Sequence, residues 1–294
     1  MNQYIITGSV GHVSRPIIAG LVKAKKDVSV ITSNKDKVKE IEALGAKAIV
    51  GSLSDAAFVN NAFKGAEVVY TMIPPIWQTN NWKESQLEIA RIYVEALKSN
   101  GINYVVNLSS IGAHLGEGCG PVDAMHDFEQ MLNGIKYLNV KHLRPSSFYY
   151  NLLNQIGLIK QAGMMGANYG GGDQKIGLVH WNDIAKVALD ALINLDFKGN
   201  SVQTIVSDYK SGKEIATILG KSVDKDLSWV EFTDEQQKQG MLQAGVPAGH
   251  AEGFTAMGIS LRNGKMQEEI AGKSPNGLVK LEEFAKEFAA AYNV

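Results

Sequence analysis

The amino-acid sequence predicts an α/β protein: a doubly wound parallel sheet, followed by a smaller mixed α/β lobe at the C-terminal end. Short apolar runs rich in β-branched residues alternate with longer amphipathic stretches between Tyr4 and Ser110. The first run leads into a turn with two glycines, Gly8 and Gly11, and the alternation weakens after Pro145. Alternation of this kind is typical of right-handed strand–helix–strand units, which build parallel sheets.

The alternating segments define the elements of the sheet in order. Five runs have the composition of buried strands and a sixth follows later: YIITG, DVSVIT, AKAIVG, AEVVYTMI, INYVVNLSS and KYLNVKHLRP. Helical spacing of apolar residues marks the stretches between them: RPIIAGLVKAK, KDKVKEIEALG, DAAFVNNAFKG, WKESQLEIARIYVEALKSNG and HDFEQMLNG. Three of the first four helices end on glycine, which favours the left-handed conformation common after a helix C-terminus.

The remaining sequence mixes helices with short strands and predicts the second lobe. It contains an aromatic-rich helix, a glycine cluster, a helical region around Pro247 and an amphipathic closing helix: SSFYYNLLNQIGLIK, NYGGGD, TDEQQKQGMLQAGVPAGHAEGFTAMGISL and LVKLEEFAKEFAAAYN. We therefore expect a first domain over residues 1–146 and a second lobe over residues 147–294, with some segments of the lobe returning to the first domain.

Composition and charge argue against several classes of function. With 45% hydrophobic and 20% charged residues, the chain has the composition of a globular protein. A net charge of -1 without basic blocks argues against nucleic acid as a partner. Cys119 is the only cysteine, and no Cys/His group has the spacing of a metal site. No segment resembles a membrane span or a targeting sequence, so we expect a cytoplasmic protein with no metal.

The glycine turn, GSVGHVS, has the features of a dinucleotide site. Gly8 permits a tight turn, and Gly11 removes a side chain where the backbone would approach a pyrophosphate. The helix that follows offers free N–H groups and the positive end of its dipole. Ser14 stands where a third glycine would complete the pattern, at a position that serves mainly helix–strand packing. A dinucleotide site in a Rossmann-type domain is the favoured interpretation, and an ordinary structural turn is the alternative.

The end of the second strand, ITSNKDK, bears on the choice of dinucleotide. NAD sites commonly place an acidic residue there to bind the ribose hydroxyls. Thr32, Ser33 and Asn34 supply no carboxylate, and Lys35 and Lys37 can attract a 2′-phosphate. The sequence therefore favours NADP (NADPH) over NAD. The alternative is that both lysines are solvated residues in the first turn of the next helix.

These motifs together resemble the NmrA-like branch of the atypical short-chain dehydrogenases, and within it the type 2 NADPH:quinone reductases and the triphenylmethane reductases. The resemblance rests on the glycine turn and on the segments ITSNKDKVKEIEALGAKAIVGSLSD, VVYTMIPP, VVNLSS, HLRPSSFYYNLL and AGVP. Ser33 replaces an arginine that the family shows after the second strand, and Ser52 replaces an aspartate frequent in relatives.

The resemblance implies a role in cofactor binding for each of these motifs. It assigns the pyrophosphate to the turn residues Gly8, Ser9, Val10, Gly11, His12 and Val13. It assigns the adenosine ribose to Ser33, Asn34 and Lys35, and the adenine to Ser52 and Leu53. It assigns the nicotinamide side to four residues, Met72, Ile73, Pro74 and Pro75, and lets Pro145 and Phe148 close over the nicotinamide. It places Ser109, a further cofactor-binding candidate, and Ser110 at the end of the fifth strand.

The acid–base pair common in this superfamily is missing. Many members place Tyr-x-x-x-Lys on the helix after the fifth strand, where the lysine lowers the pKa of the tyrosine. The corresponding helix reads DAMHDFEQML and has neither residue. Tyr137 and Lys141 have the same spacing but lie in a segment entering a strand, where residues four apart are separated by about 13 Å. We therefore do not expect Tyr137 to be catalytic.

His126 lies near the position of the lost tyrosine, within one residue of register, and could contact the nicotinamide ribose. A structural hydrogen-bonding role is the alternative. His114 and His180 are further candidates, and Asp183 is expected to cap or orient the helix that follows His180. No catalytic residue is assured by the sequence.

Loss of the tyrosine does not exclude reductase chemistry, because a quinone can accept hydride directly and take its proton from water. Aromatic residues expected to border the cleft could stack on a flat acceptor; the substrate candidates are Trp77, Phe148, Tyr149 and Tyr150, with Trp82 and Tyr169 nearby. We therefore expect an NADPH-dependent reductase of a quinone or a similar flat electrophile. The alternative is a non-catalytic NADP-binding redox sensor that acts through a protein partner. A homodimer or a regulatory partner is compatible with either.

Overall fold

Strands and helices alternate along the chain in the predicted order. A computed structural model describes residues 3–77, 79 and 81–294. The strands are β1 (Gln3–Ile6), β2 (Asp27–Thr32), β3 (Lys47–Val50), β4 (Ala66–Thr71), β5 (Tyr104–Leu108), β6 (Asn139–Pro145), β7 (Ser147–Phe148), β8 (Met165–Ala167), β9 (Lys175–Val179), β10 (Asn200–Ile205), β11 (Asp208–Ser211) and β12 (Trp229–Glu231). The helices are α1 (Ser14–Lys23), α2 (Val38–Ala43), α3 (Ala56–Ala62), α4 (Trp82–Ser99), α5 (Asp123–Asn133), α6 (Ile156–Ala162), α7 (Trp181–Asn194), α8 (Gly212–Ser222), α9 (Asp234–Gln243), α10 (Ala248–Arg262) and α11 (Leu281–Tyr292). No helix in this part of the chain combines the length and the apolar character needed to cross a bilayer.

The central sheet has seven strands, all parallel, in the order β10-β6-β5-β4-β1-β2-β3. The strand order runs outward from β1 in both directions, so that right-handed crossovers place helices on both faces of the sheet. This arrangement confirms the predicted doubly wound parallel sheet.

Alternate side chains of the strands fill two cores, one on each face of the sheet, because successive residues of a strand point in opposite directions. Tyr4 and Ile6 pack on one face with Ile17 of α1 and with α7. Ile5 packs on the other face with Tyr93 of α4. The strands are therefore apolar on both sides, as is typical of parallel sheets covered by helices.

The glycines predicted to end three of the helices adopt the left-handed conformation. Gly45 after α2, Gly65 after α3 and Gly101 after α4 have φ angles of 86°, 80° and 61°. A side chain with a Cβ is disfavoured at such angles, so these glycines set where the three helices stop.

Two elements from the second half of the chain belong to the main sheet and its helical layer. β10 pairs in parallel with β6, and α7 packs against α1. The other strands form two small sheets, β11-β9-β7 and β12-β8, which pack with α8 and α11 around a third core. The cavity described below lies between this third core and the main sheet.

The segment after β6 differs from the single helix that the sequence predicts. Ser147 and Phe148 form the short strand β7, paired with Leu178 and Val179 of β9, and residues 149–155 form a 3-10 helix before α6 begins. The amide of Ser146 also donates to the Ile205 carbonyl oxygen at 2.9 Å. Pairing with the second lobe therefore keeps the chain extended where helical periodicity alone predicts a helix.

Candidate functional site

The carboxyl ends of the parallel strands meet at one edge of the sheet, the edge at which doubly wound folds bind ligands. The turn after β1 is fixed there to the end of β4. Thr7 Oγ1 donates to the Tyr70 carbonyl oxygen (3.2 Å) and accepts from the Met72 amide (3.0 Å). The hydroxyl of Tyr93 donates to the Met72 carbonyl oxygen (3.1 Å). These bonds join the first turn and the exit of β4 into one unit.

The two glycines of the turn are required for different reasons. A Cβ on Gly8 would lie 2.2 Å from Ser14 Oγ and 3.2 Å from Met72 Cγ, so Gly8 is required by internal packing. A Cβ on Gly11 would meet only the Gly8 carbonyl oxygen, at 3.5 Å, which is an ordinary contact. Packing within the protein therefore does not explain Gly11, whereas a ligand that approaches the backbone would. Ser14 is buried in the space that Gly8 leaves free.

The end of β2 is hydrogen-bonded to the glycine turn. Ser9 Oγ donates to Thr32 Oγ1 (3.0 Å), and the Asn34 amide donates to the same oxygen (3.2 Å). Asn34 Oδ1 accepts from the Asp36 amide (2.8 Å) and caps the turn that follows. The predicted adenosine residues at this edge are exposed or half-buried: Ser33, Asn34, Lys35, Ser52 and Leu53.

A groove of about 620 Å³ lies between α1, α2 and the start of α7, beside the glycine turn. Arg15 and Lys37 line the groove, and both pair with Glu40; Lys37 Nζ lies 3.0 Å from Glu40 Oε2. Lys35 is exposed and forms none of the ion pairs found among the described residues. Sequence reasoning missed Arg15, although its place in the first turn of α1 puts it next to the glycine turn.

A cavity of about 350 Å³ lies beyond the ends of β4, β5 and β6. Three of the residues expected around the nicotinamide side line it, Met72, Ile73 and Pro75, together with Phe148, which was expected to close over the nicotinamide. Ser109 and Ser110, expected at the end of the fifth strand, line it too. Apolar side chains of the second lobe form the opposite wall, among them Ile176, Leu178, Ile215 and Met257. Within the described part of the chain, no Asp, Glu, Lys, Arg or His side chain lines the cavity. Its lining is therefore apolar with a few neutral polar groups.

Pro74, Pro145 and Tyr149 are among the predicted residues that lie outside this cavity. Tyr149 is buried in the core of the second lobe, where its hydroxyl donates to the Val279 carbonyl oxygen (3.1 Å) and its ring stacks on Phe284 at 5.3 Å. The phenol of Tyr149 is thus occupied by contacts within the second lobe.

Tyr150 lies beside the glycine turn rather than in the cavity. Its ring is 4.6 Å from the imidazole of His12 and 6.3 Å from the indole of Trp181. His12 and Trp181 both line the groove next to the turn. The structure therefore brings Tyr150 together with the predicted pyrophosphate residues.

The aromatic residues after β4 contact α10. Trp77, which is 45% exposed, stacks on His250 at 5.1 Å and on Phe254 at 5.8 Å. Trp82 Nε1 donates to the Gly249 carbonyl oxygen (3.0 Å). Neither tryptophan lines the cavity. These contacts attach the segment after β4 to α10 of the second lobe.

His126 is turned away from the cavity. Its Nδ1 is 2.6 Å from the Ala113 carbonyl oxygen, to which it donates, and the ring holds the loop before α5. Met125, one position earlier, lines the cavity in its place. The side of the cavity formed by α5 therefore offers a thioether instead of an acid.

The other two candidate histidines also lie outside the cavity lining: His114 Nδ1 is 3.0 Å from Glu269 Oε2, and His180 is at the start of α7. His180 Nδ1 accepts from the Asn182 amide (3.1 Å) at the start of α7. Asp183 Oδ2 accepts from Ser207 Oγ (2.6 Å) and from the Leu278 amide (3.0 Å). Asp183 thus joins α7 to the segment before α11, which agrees with the predicted supporting role.

Tyr137 and Lys141 do not form an acid–base pair. Tyr137 lies in the turn before β6, is 49% exposed, and its hydroxyl points to the Lys98 carbonyl oxygen (3.4 Å). Lys141 is in β6 with its ammonium 5.4 Å from the centre of the Phe197 ring. The two side chains therefore have separate surroundings, as the extended geometry predicts.

A buried ionic network supports the floor of the cavity. Ser109 Oγ donates to Glu129 Oε1. Arg144 donates to both carboxylate oxygens of Glu129, through Nε at 3.0 Å and through Nη2, and it also pairs with Glu269. Burial alone would raise the pKa of Glu129, but hydrogen bonds from Arg144 and Ser109 and the charges of Arg144 and His142 outweigh it and lower this pKa. The network connects β5, α5 and β6 with the second lobe.

The described residues provide no metal centre, since they contain no cluster of three His, Cys, Asp or Glu side chains placed to hold an ion. Among the polar residues that line the cavity, sequence reasoning missed Gln86 of α4 and Ser146 after β6. Gln86 could have been found because it interrupts the apolar face of α4. No comparable signal singles out Ser146.

Known proteins resemble this chain over most of its length. Residues 8–194 match the family described as NAD(P)H-binding. The chain is 23% identical over 259 residues to an NAD(P)H azoreductase of Xenophilus azovorans, and the alignment covers 86% of this chain and 85% of that protein.

Two solved structures share the fold. An NADPH-dependent quinone oxidoreductase of Escherichia coli, complexed with NADPH, is 19% identical with a TM-score of 0.82, over 97% of this chain and 99% of that one. The triphenylmethane reductase of a Citrobacter species, complexed with NADP(H), is 18% identical with a TM-score of 0.77, over 97% and 99%.

These similarities confirm the resemblance read from the sequence motifs, and they agree with the expected NAD(P)H-dependent oxidoreductase. The matched region begins at Gly8, the first glycine of the turn, and extends through α7. It therefore contains the turn, the end of β2 and the residues predicted to lie around the nicotinamide. The chain belongs to the NAD(P)H-binding family.

Proposed function

We propose that the protein is an NADPH-dependent reductase that transfers hydride directly to a quinone or a similar flat electrophilic acceptor. The observation that carries this proposal is the uncharged cavity at the carboxyl ends of β4, β5 and β6. A nicotinamide cofactor, when bound, supplies hydride, and a quinone that receives it takes one proton from water to become the hydroquinone. The reaction therefore requires no acid from the protein.

The residues of the site have roles that suit this reaction. Backbone around Gly11 and the N-terminus of α1 would bind the pyrophosphate. Met72 and Phe148 would enclose the nicotinamide side, and Met125 would close the cavity toward α5. Apolar walls exclude water and hold a flat ring near the cofactor, which is the main contribution a protein can make to direct hydride transfer.

The names of the relatives support the same chemistry. One relative is an NAD(P)H azoreductase, and one solved structure with the same fold is an NADPH-dependent quinone oxidoreductase. A redox sensor would need no enclosed cavity beyond the nicotinamide side, so the cavity favours the reductase over the sensor.

Oxidation of NADPH by the purified protein tests the proposal. The cofactor absorbance should fall when a quinone or a neutral azo dye is added, and with a quinone the hydroquinone should appear in an amount equal to the NADPH consumed. Tight NADPH binding without turnover on any acceptor would contradict the reductase and leave only dinucleotide binding.

Preference for NADPH over NADH is part of this proposal, with Lys35 as the residue that binds the 2′-phosphate. Lys37 and Arg15 already pair with Glu40, whereas Lys35 is exposed beside Ser33 and Asn34 at the end of β2. Lys35→Ala should weaken NADPH binding by about five- to ten-fold, the size of one charge-assisted hydrogen bond, and leave NADH binding unchanged. Titration calorimetry with both cofactors measures this.

Lys39→Ala is the matched control, because Lys39 is an exposed lysine on the next helix. It should change neither affinity. Equal affinity of the parent for both cofactors would reject the preference for NADPH. An unchanged NADPH affinity in Lys35→Ala would indicate that Arg15 or Lys37, and not Lys35, binds the 2′-phosphate.

Phe148→Ala should lower kcat/KM for a quinone by about five-fold or more, since loss of one wall of the cavity lets the acceptor and the nicotinamide move apart. Tyr137→Phe should leave kcat/KM at the parent value, because Tyr137 is outside the cavity. Steady-state kinetics on both variants measures the contrast. A large loss of turnover in Tyr137→Phe with unchanged folding would instead support a tyrosine acid.

A further inference from the structure

Two buried polar atoms in the cavity have no hydrogen-bond partner among the described residues. They are Oγ of Ser146, which is 2% exposed, and Oε1 of Gln86, which is 6% exposed. Both residues line the same cavity, but they come from different elements, the segment after β6 and helix α4. Polar groups this deeply buried are nearly always paired, so each of these two atoms calls for a partner from outside the chain.

Ser146 and Gln86 differ from two other polar residues of the lining, Gln155 and Ser109, whose side chains are paired within the protein. Gln155 accepts from the Gly166 amide (3.0 Å) and donates to the Gly166 carbonyl oxygen (3.1 Å). Ser109 donates its proton to Glu129. Among the described residues that line the cavity, Ser146 and Gln86 are therefore the two with a buried polar atom that lacks a partner.

We propose that this cavity selects neutral acceptors that carry ring carbonyl groups, with Ser146 and Gln86 as the residues that bind the carbonyl oxygens. The inference rests on the proposed function and specifies its substrate class. Ser146 donates its hydroxyl proton, and the amide of Gln86, whose two ends exchange by rotation about its last bond, presents Nε2 to a carbonyl oxygen. After reduction the same amide can present Oε1 to the hydroxyl of the product.

The absence of charge in the described lining explains why the acceptor is neutral. A sulfonate or an ammonium group that entered the cavity would lose its water and meet no counter-ion. A neutral carbonyl loses less on leaving water and regains its hydrogen bonds from Ser146 and Gln86. Anionic and cationic dyes should therefore be excluded more strongly than neutral quinones.

Equilibrium binding to the protein saturated with NADP+ tests this without turnover. The probes are menadione, 2-methylnaphthalene, which has the same rings without carbonyl groups, and 1,4-naphthoquinone-2-sulfonate, which adds a charge. Ser146→Ala and Gln86→Met should each weaken menadione binding by about five-fold and leave 2-methylnaphthalene binding unchanged. The sulfonate should bind the parent at least about 100-fold more weakly than menadione.

The exposed residues Ser99 and Gln130 provide matched controls, and Ser99→Ala and Gln130→Met should bind all probes as the parent does. Ser146→Ala and Gln86→Met should also melt at or above the parent temperature, because each removes a buried polar atom that has no partner. A lower melting temperature with parental menadione binding would make both residues structural and overturn the inference.

Two further outcomes separate this inference from the proposed function. If the two variants weaken NADP+ binding and not menadione binding, the polar groups bind the carboxamide of the cofactor and the inference is wrong. If menadione binding depends on both residues but NADPH is never oxidised, carbonyl recognition stands and the reductase function fails. Equal binding of the sulfonate and menadione would reject the selection for neutral acceptors.

Discussion

Gly11→Val should reduce NADPH binding by at least about 100-fold, the loss expected when two charge-assisted hydrogen bonds to a pyrophosphate are removed. A Cβ at Gly11 meets only one protein atom within 4 Å, the Gly8 carbonyl oxygen at 3.5 Å, so the turn itself can accept a side chain. The branched side chain would occupy the space through which the pyrophosphate approaches the backbone. Titration calorimetry gives the affinity, and thermal melts without cofactor show whether the fold is retained.

Gly157→Val is the matched control. Gly157 is an exposed glycine in α6, and a Cβ there meets no atom within 4 Å. This variant should bind NADPH like the parent. Gly8→Val should instead unfold at a lower temperature, because its Cβ would overlap Ser14 Oγ. If NADPH raises the melting temperature of Gly11→Val as much as that of the parent, the segment from Gly8 to Ser14 is only a structural turn.

The sequence predicts the main sheet well because the two patterns that mark it, apolar runs for strands and glycines after helices, are local. Apolar runs such as DVSVIT coincide with β2, and the glycines after three helices adopt the left-handed conformation that stops them. The strand order then follows from right-handed crossovers, which leave few alternatives. The segment after Pro145 is harder, because Ser147 and Phe148 are extended only through pairing with β9, which lies far away in the sequence.

The candidate site is only partly predictable, because the direction of a side chain depends on helix register. His126 and Met125 differ by one residue, which is about 100° around a helix axis. That rotation turns His126 to the Ala113 carbonyl oxygen and brings Met125 into the cavity. A single sequence therefore locates the helix but does not fix its register to one residue.

The sequence also does not predict which aromatic side chains reach the cavity. Tyr149 and Tyr150 are adjacent, yet one is buried against Phe284 in the second lobe and the other lies on His12 beside the glycine turn. Phe148, just before them, lines the cavity. Composition identifies this segment as aromatic, but tertiary contacts with α11 and with the turn decide which ring reaches the cavity.

Some of the missed residues do leave a signal in the sequence. Gln86 shares one face of α4 with Ala90, Tyr93 and Leu97, which are four, seven and eleven positions later and all buried. Glu129 lies beside Phe128 on the buried face of α5. A polar residue on an otherwise apolar helix face has to find a partner, so such positions are candidates for a buried network or a ligand.

The second large effect expected is on stability: Arg144→Met should lower the free energy of unfolding by about 3–5 kcal/mol, the usual result of removing one partner of a buried ion pair. Glu129 and Arg144 are 1% and 7% exposed, and without the guanidinium the carboxylate would remain buried with only Ser109 as a partner. Denaturant unfolding at neutral pH measures the loss. Arg91→Met is the control, since Arg91 pairs with Glu84 in an exposed position and its removal should change the midpoint little.

Acid unfolding distinguishes the network from a simple packing defect. The pKa of Glu129 is lowered in the folded chain, so its stabilising contribution is complete above about 4.5, its ordinary value, and is lost as the pH falls through the lower folded value. Burial lowers the pKa of nearby His142 from 6.5 to about 4 in the folded chain. The unfolded chain therefore binds a proton at this residue more readily, and stability is lost as the pH falls from 6.5 to about 4. Glu129→Gln should therefore reduce the loss of stability below about pH 4.5 and keep the loss that begins near pH 6.5. The double variant Glu129→Gln/Arg144→Met should be more stable than Arg144→Met alone, because no unpaired carboxylate remains at position 129. Strict additivity of the two single changes would show that Glu129 and Arg144 are not coupled.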